Sequence, residues 1–201
     1  LARLDLDGGL AWLRRLGTRG SIVKSYTLAA DEERVVIGGL FRGRPDLDPG
    51  PGRQVRTSVD SDDDAFVAAF TTTGKQAWVY TFGALSSDQV RGLAVDGGQI
   101  YALGSQTEVV DLGGAVGPQD PSSKWFLLTL DGRGEPRAST PVVTAVPMTY
   151  PNLHVASMMI DRGRVYITGD ISGPSTILGT PVALASVHVA RSPVLIELAV
   201  P

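Results

Sequence analysis

Phe66-Val67-Ala68-Ala69-Phe70-Thr71-Thr72-Thr73-Gly74, followed by Gln76-Ala77-Trp78-Val79-Tyr80-Thr81-Phe82-Gly83, decides the fold. Side chains on a strand alternate between two faces, so Phe66, Ala68 and Phe70 share one face, and Gln76, Trp78, Tyr80 and Phe82 share a face of the next strand. The Thr-Thr-Thr-Gly between them is a turn. The same marks stand earlier in the chain, at Leu4-Asp5-Leu6-Asp7-Gly8, then Trp12, then Leu16-Gly17. In both copies the first Gly follows the apolar mark by four residues, the Trp follows after four more, and the second Gly after five. A third copy keeps Leu130-Asp131-Gly132-Arg133-Gly134 but has Ala138 in place of the Trp, and Val194-Leu195-Ile196-Glu197-Leu198 opens a fourth.

A second motif runs in step with the first. Asp31 with Val35-Val36-Ile37-Gly38, Asp96 with Ile100-Tyr101-Ala102-Leu103-Gly104, and Asp161 with Val165-Tyr166-Ile167-Thr168-Gly169 follow one another at 65 residues. Each copy reads as four short strands. In the second these are Phe66 to Phe70, Gln76 to Phe82, Val90 to Val95 and Ile100 to Leu103, with Asp96-Gly97-Gly98 as a hairpin turn. The third strands are rich in small residues (Ser25, Thr27, Ala29; Gly92, Ala94; Ala156, Ser157), which suits an innermost strand where sheets converge on an axis. Four-stranded units at a fixed period predict an all-β, β-propeller-like fold. They give about three antiparallel blades plus one extra strand, in repeats 1–64, 65–124 and 125–192, with a fourth beginning at 193–201. A β-sandwich would give Trp12 and Trp78 no reason to occupy equivalent places.

Composition agrees. The 201 residues are 43% apolar and 19% charged, which is enough material for a core and too little charge for a disordered chain. The 24 Gly and 13 Pro fit a turn-rich chain rather than a helical bundle. A net charge of −3 without a basic patch argues against nucleic acid. No apolar run approaches a membrane span, and no signal peptide is visible. Cysteine is absent, which removes disulfides, zinc–thiolate sites and Cys nucleophiles. Arg outnumbers Lys fifteen to three and Asn152 is the only Asn, a bias expected of a high-GC bacterial genome. The chain opens on Leu1 rather than Met, and three periods plus a strand read as a piece of a longer propeller, or as a half-propeller that pairs with another copy or chain.

The repeat resembles the bacterial SBBP-type β-propeller repeats. The residues that carry the likeness are Phe66-Val67-Ala68-Ala69-Phe70 with Gly74 and Trp78, and Ala94-Val95-Asp96 with Tyr101 and Gly104. Asp46-Leu47-Asp48-Pro49-Gly50-Pro51-Gly52 is similar to a loop common in such repeats. The second copy keeps only Asp111-Leu112-Gly113-Gly114, and the third reads Ile177-Leu178-Gly179. The resemblance implies a propeller in a secreted or envelope-anchored protein, hence an extracellular or cell-envelope location. It does not specify an activity, since propellers host many unrelated ones.

The strongest site candidate is acidic. Asp60, Asp62, Asp63 and Asp64 crowd one loop, with Asp46 and Asp48 upstream on the same connection. Hard oxygen ligands beside Gly and Pro turns are what calcium takes, although the Gly and distal Glu of an EF-hand are missing. A solvated acidic loop has the same composition. Asp31, Asp96 and Asp161 read as turn residues, and Trp12 and Trp78 as blade core. Trp125, off the phase of the other two, is expected near a rim. With Tyr150 in the Pro-rich loop 140–151, and with His154, it makes up the candidate set for a protein or glycan ligand. His154 and His188 are the only near-neutral bases, and no hydrolase, metalloprotease or nucleotide-binding motif accompanies them. The expected function is therefore a non-enzymatic binding or scaffolding module that presents inter-strand loops. A carbohydrate-active hydrolase or lyase with a central-channel site is the competing class, and it would need acids or histidines converging on the inner strands.

Overall fold

The computed structural model describes residues 1–114, 116–117, 119–145, 151–182 and 191–200. They form β1 (Ala2–Leu4), β2 (Leu10–Leu13), β3 (Ile22–Ala30), β4 (Arg34–Arg42), β5 (Asp64–Thr71), β6 (Gln76–Phe82), β7 (Gln89–Asp96) and β8 (Gln99–Ser105). Then follow β9 (Ser123–Leu130), β10 (Pro136–Ala145), β11 (Asn152–Asp161), β12 (Arg164–Ser172), β13 (Ser175–Ile177), β14 (Thr180–Val182) and β15 (Ser192–Ala199). One 3-10 turn, Val59–Ser61, is the only helical piece among the described residues, and none of them forms a helix long and apolar enough to cross a membrane.

The strands make four antiparallel sheets, ordered β1-β2, β3-β4-β5-β6, β14-β13-β10-β9-β8-β7 and β11-β12-β15. The all-β expectation holds, and the four strands expected in the second repeat are β5 to β8. They do not share a sheet, however. β5 and β6 join β3 and β4, while β7 and β8 join β9 and β10. Each four-stranded run therefore straddles two sequence repeats. The cause is pairing: β5 lies in unbroken register against β4 from Arg34↔Thr71 to Phe41↔Asp64, whereas the link after β6 carries the chain into the next sheet. Instead of three four-stranded sheets there are two such runs, set between a hairpin and a three-stranded sheet, with β13-β14 extending β10.

Both faces of the full sheets are buried, which explains a strand as uniformly apolar as Phe66-Val67-Ala68-Ala69-Phe70. Phe66, Ala68 and Phe70 pack with Ile37, Phe41 and Leu47 on one side. Ala65, Val67 and Ala69 face Val90, Ile100, Phe126 and Leu128 of the next sheet on the other. Trp125, Leu127 and Leu103 in turn meet Leu153, Ile167 and Ile196 of the three-stranded sheet. The first strands lie side by side, β7 packing against both β3 and β11.

Two devices tie consecutive sheets together. The indole N–H of Trp12 donates to the Thr72 carbonyl at 3.0 Å, and that of Trp78 donates to the Gly132 carbonyl at 3.0 Å. Each Trp of an outer strand thus clasps the β5–β6 or β9–β10 turn of the following sheet. The rings lie against Gly74 (φ +79°) and Gly134 (φ +82°), where a Cβ would stand 2.8 and 2.6 Å from the indole. Only glycine meets both the turn geometry and the close approach. The second device is an apolar plug from the long link after the second strand of each sheet. Leu47 and Leu112 are buried and Ile177 nearly so, one per sheet and 65 residues apart. Their links reach the preceding sheet or the segment that follows its outer strand through Gly17 N–H to Asp46 O, Tyr80 Oη to Leu112 O, and the β13-β10 pairing.

Candidate functional site

Antiparallel pairing sorts the connections. The tight turns after β3, β5, β7, β9 and β11 lie at one end of the sheets, and the long links 43–63, 83–88 and 106–122 start and finish at the other; the first of them dips back, its Leu47 carbonyl accepting the Gln76 amide and Asp48 to Gly52 lying beside Gly74 and Lys75 of the β5–β6 turn. Of the described candidate residues, Asp60, Asp62, Asp64, Trp125 and His154 fall at this long-link end or beside it, while Asp48 stands by the tight turn after β5.

The acidic run does not act as one group. Asp46 accepts the N–H groups of Asp48 (3.1 Å) and Gln54 (2.8 Å), which holds its carboxyl below the usual range, and Asp48 accepts Gly50 N–H at 2.7 Å. These are the turns that seat the Leu47 plug. Asp60 lies in the 3-10 turn at φ +49°. Asp63 pairs with Arg42 at 2.8 Å and accepts the Ser87 hydroxyl at 3.3 Å. Asp64 points inward and is buried, taking Val59 N–H at 3.2 Å, and a side chain at Gly83 would collide with its carboxyl. Among the described residues, no three His, Asp or Glu side chains stand together as a ligand set for one metal ion.

Asp88 is a site residue that sequence reasoning did not single out. It is wholly buried and accepts Ala84 N–H at 2.8 Å and Thr107 N–H at 3.2 Å, joining the links 83–88 and 106–122. No cation pairs with it among the described residues. Burial raises its carboxyl to about 7 and that of the neighbouring Asp64 to about 6, against the opposing pull of the backbone N–H groups. Nothing in Ser86-Ser87-Asp88 signals burial, because the enclosing groups come from a different link.

Beside Asp88, at its chain neighbours Ser87 and Gln89, opens a cleft of about 290 Å³, lined also by Thr107, Lys124, Trp125 and Asn152 among others. Trp125 is not on a rim: it is 3% exposed and forms the floor of the cleft while packing in the core. Lys124 bonds the Thr107 and Pro121 carbonyls at 2.9 and 3.1 Å. Gln106 gives its amide to the Asp120 and Ser123 carbonyls. The walls are thus braced, and Gln89 and Asn152 line the cleft beside them.

His154 sits apart on β11, largely exposed, with Nδ1 3.8 Å from Asp170, whose other oxygen is 3.5 Å from Arg191. No hydroxyl hydrogen-bonds to its imidazole among the described residues, so Ser157 is not poised by it. Tyr150 and His188 lie outside the described residues. Trp125 thus lines a cleft that none of the candidate aspartates lines; Asp63 reaches only the Ser87 of its wall, and His154 stands apart. No protein-family model matches this chain, and no curated protein matches it significantly.

Proposed function

We propose that this chain is a segment of a β-propeller that resembles the SBBP-type repeats, and that it serves as a non-enzymatic scaffold. It would present its long-link end to a protein or glycan partner outside the bacterial cytoplasm. The observation that carries this reading is the recurrence of the same inter-sheet ties: Trp12 to Thr72, Trp78 to Gly132, and the plugs Leu47, Leu112 and Ile177. Ties that repeat with the sequence make a stiff stack of sheets, and connections gathered at one end of a stiff stack are suited to recognition. The braced cleft beside Asp88 is a recess at that end. Leu4, Leu6, Leu10 and Leu13 are exposed on the first hairpin and Leu195 on β15, which favours further blades, of this or another chain, as neighbours.

The test is binding of the purified chain to an array of bacterial envelope glycans and to extracted surface proteins. It is repeated with Asn152→Ala and Lys124→Ala at the cleft and with Arg133→Ala at the tight-turn end. Loss of a captured partner with the cleft changes alone supports the reading. Equal loss with Arg133→Ala, no capture at all, or conversion of the captured glycan contradicts it.

A further inference from the structure

The first strands β3, β7 and β11 are each the edge of their sheet, and β7 packs between the other two. All three break register at one place: between Ser25 and Thr27, between Val90 and Gly92, and between Val155 and Ser157. The residues left over are Tyr26, Arg91 and Ala156, which stand 65 apart. A β-bulge re-aims the side chain it frees, and three aligned bulges turn three side chains toward one space. A cavity of about 330 Å³ lies there, lined by Tyr26, Thr27, Arg91, Ala156 and Ser157 among others.

Arg91 is the charged member. Its guanidinium carbon lies 3.7 Å from the Tyr26 ring centroid, stacked on the aromatic face. Its Nε–H donates to Gln89 Oε1 at 2.9 Å, which fixes the plane of the fork. The terminal nitrogens have no protein acceptor, and no carboxylate pairs with Arg91 among the described residues. Lys24 and His154 occupy, on β3 and β11, the places that Gln89 holds on β7. The acids of these three strands and their turns, Asp31, Glu32, Glu33, Asp96 and Asp161, lie at the far, tight-turn end. A guanidinium that is half-buried, stacked and left without a counter-ion is organised for a planar oxyanion, which it meets with two parallel hydrogen bonds.

We propose that the bulge cavity binds the oxyanion of a small ligand, a carboxylated or phosphorylated sugar, with Arg91 as the binding residue and Tyr26 and Gln89 as its positioning residues. The site lies on the inner strands and stands whether or not the long-link end binds a partner.

The experiment is calorimetric titration of the chain with glucuronate, with glucose 1-phosphate and with neutral glucose, alongside Arg91→Gln, Arg91→Lys and the remote Arg133→Ala. Both anions are expected to bind and glucose not to. Arg91→Gln should weaken binding about tenfold or more, Arg91→Lys less, and Arg133→Ala not at all. Whichever anion binds tighter names the source of the oxyanion. If Arg91→Gln fails to fold, the wild-type Arg91 Nε–H resonance still reports, since it must move on titration with the tighter anion. Absence of binding, glucose binding as tightly as glucuronate, unchanged affinity in Arg91→Gln, or an unmoved Nε–H resonance overturns the proposal.

Discussion

Gly134→Ala tests the indole clasp against an internal control. Gly134 and Gly98 both occupy left-handed turn positions, at φ +82° and +80°, so an alanine at either meets the same backbone penalty of about 1–2 kcal/mol. They differ in what lies above them. A Cβ at Gly98 meets nothing within 4 Å, whereas at Gly134 it falls 2.6 Å from the Trp78 ring. Forcing a methyl against a held ring adds about 1–3 kcal/mol of overpacking. Gly134→Ala should therefore cost about 2–5 kcal/mol and Gly98→Ala about 1–2. In a Trp78→Ala background the extra cost at Gly134 should vanish, leaving a coupling of about 1–3 kcal/mol in a double-mutant cycle. Urea unfolding with linear extrapolation supplies the free energies. Equal costs at Gly134 and Gly98, or additivity with Trp78→Ala, would refute the clasp.

The plugs should weigh unequally. Leu112→Ala, which empties a fully enclosed place, is expected to cost about 2–5 kcal/mol, and Ile177→Ala less, measured by the same unfolding curves. The buried carboxyls set a pH dependence. A group that titrates at about 7 folded and about 3.9 unfolded is protonated more readily in the native state, so its stabilising effect is full below pH 4 and is lost as pH rises toward 7. For Asp88 this amounts to about 4 kcal/mol between pH 4 and pH 8. The melting temperature should fall across that range and fall less in Asp88→Asn; an identical profile in the variant would remove Asp88 as the cause.

The strands were legible because their chemistry is local. Phe66 to Phe70 reads as a strand from its own residues, and its missing polar alternation has a reason in the two buried faces. The equivalence of Trp12 and Trp78 was legible too, but their role was not, since each one's acceptor carbonyl belongs to the next sheet. Sheet membership was hidden for the same reason: pairing of β5 with β4 spans a long link that no local pattern reports. In the acidic run composition named the oxygens, but the backbone N–H groups of Asp48, Gln54, Gly50 and Val59 and the Arg42 guanidinium engage Asp46, Asp48, Asp63 and Asp64 separately. Trp125 was found and misplaced, because the start of a strand is a rim only where no neighbouring sheet covers it. Arg91 escaped because its equivalents, Tyr26 and Ala156, differ in type, and only the shared bulge unites them.

The central claim is that consecutive sheets stack through their first strands, β7 beside β11. A Cβ at Gly92 would lie 3.0 Å from the Cβ of Met158, close to the spacing of about 3.5–4.5 Å across a disulfide. The chain has no cysteine of its own, so Gly92→Cys with Met158→Cys introduces the only thiols. Under mild oxidation the account predicts an intramolecular disulfide, read by mass spectrometry as the loss of two hydrogens in the monomer. Thiols that stay free, or that couple only between molecules, would contradict it.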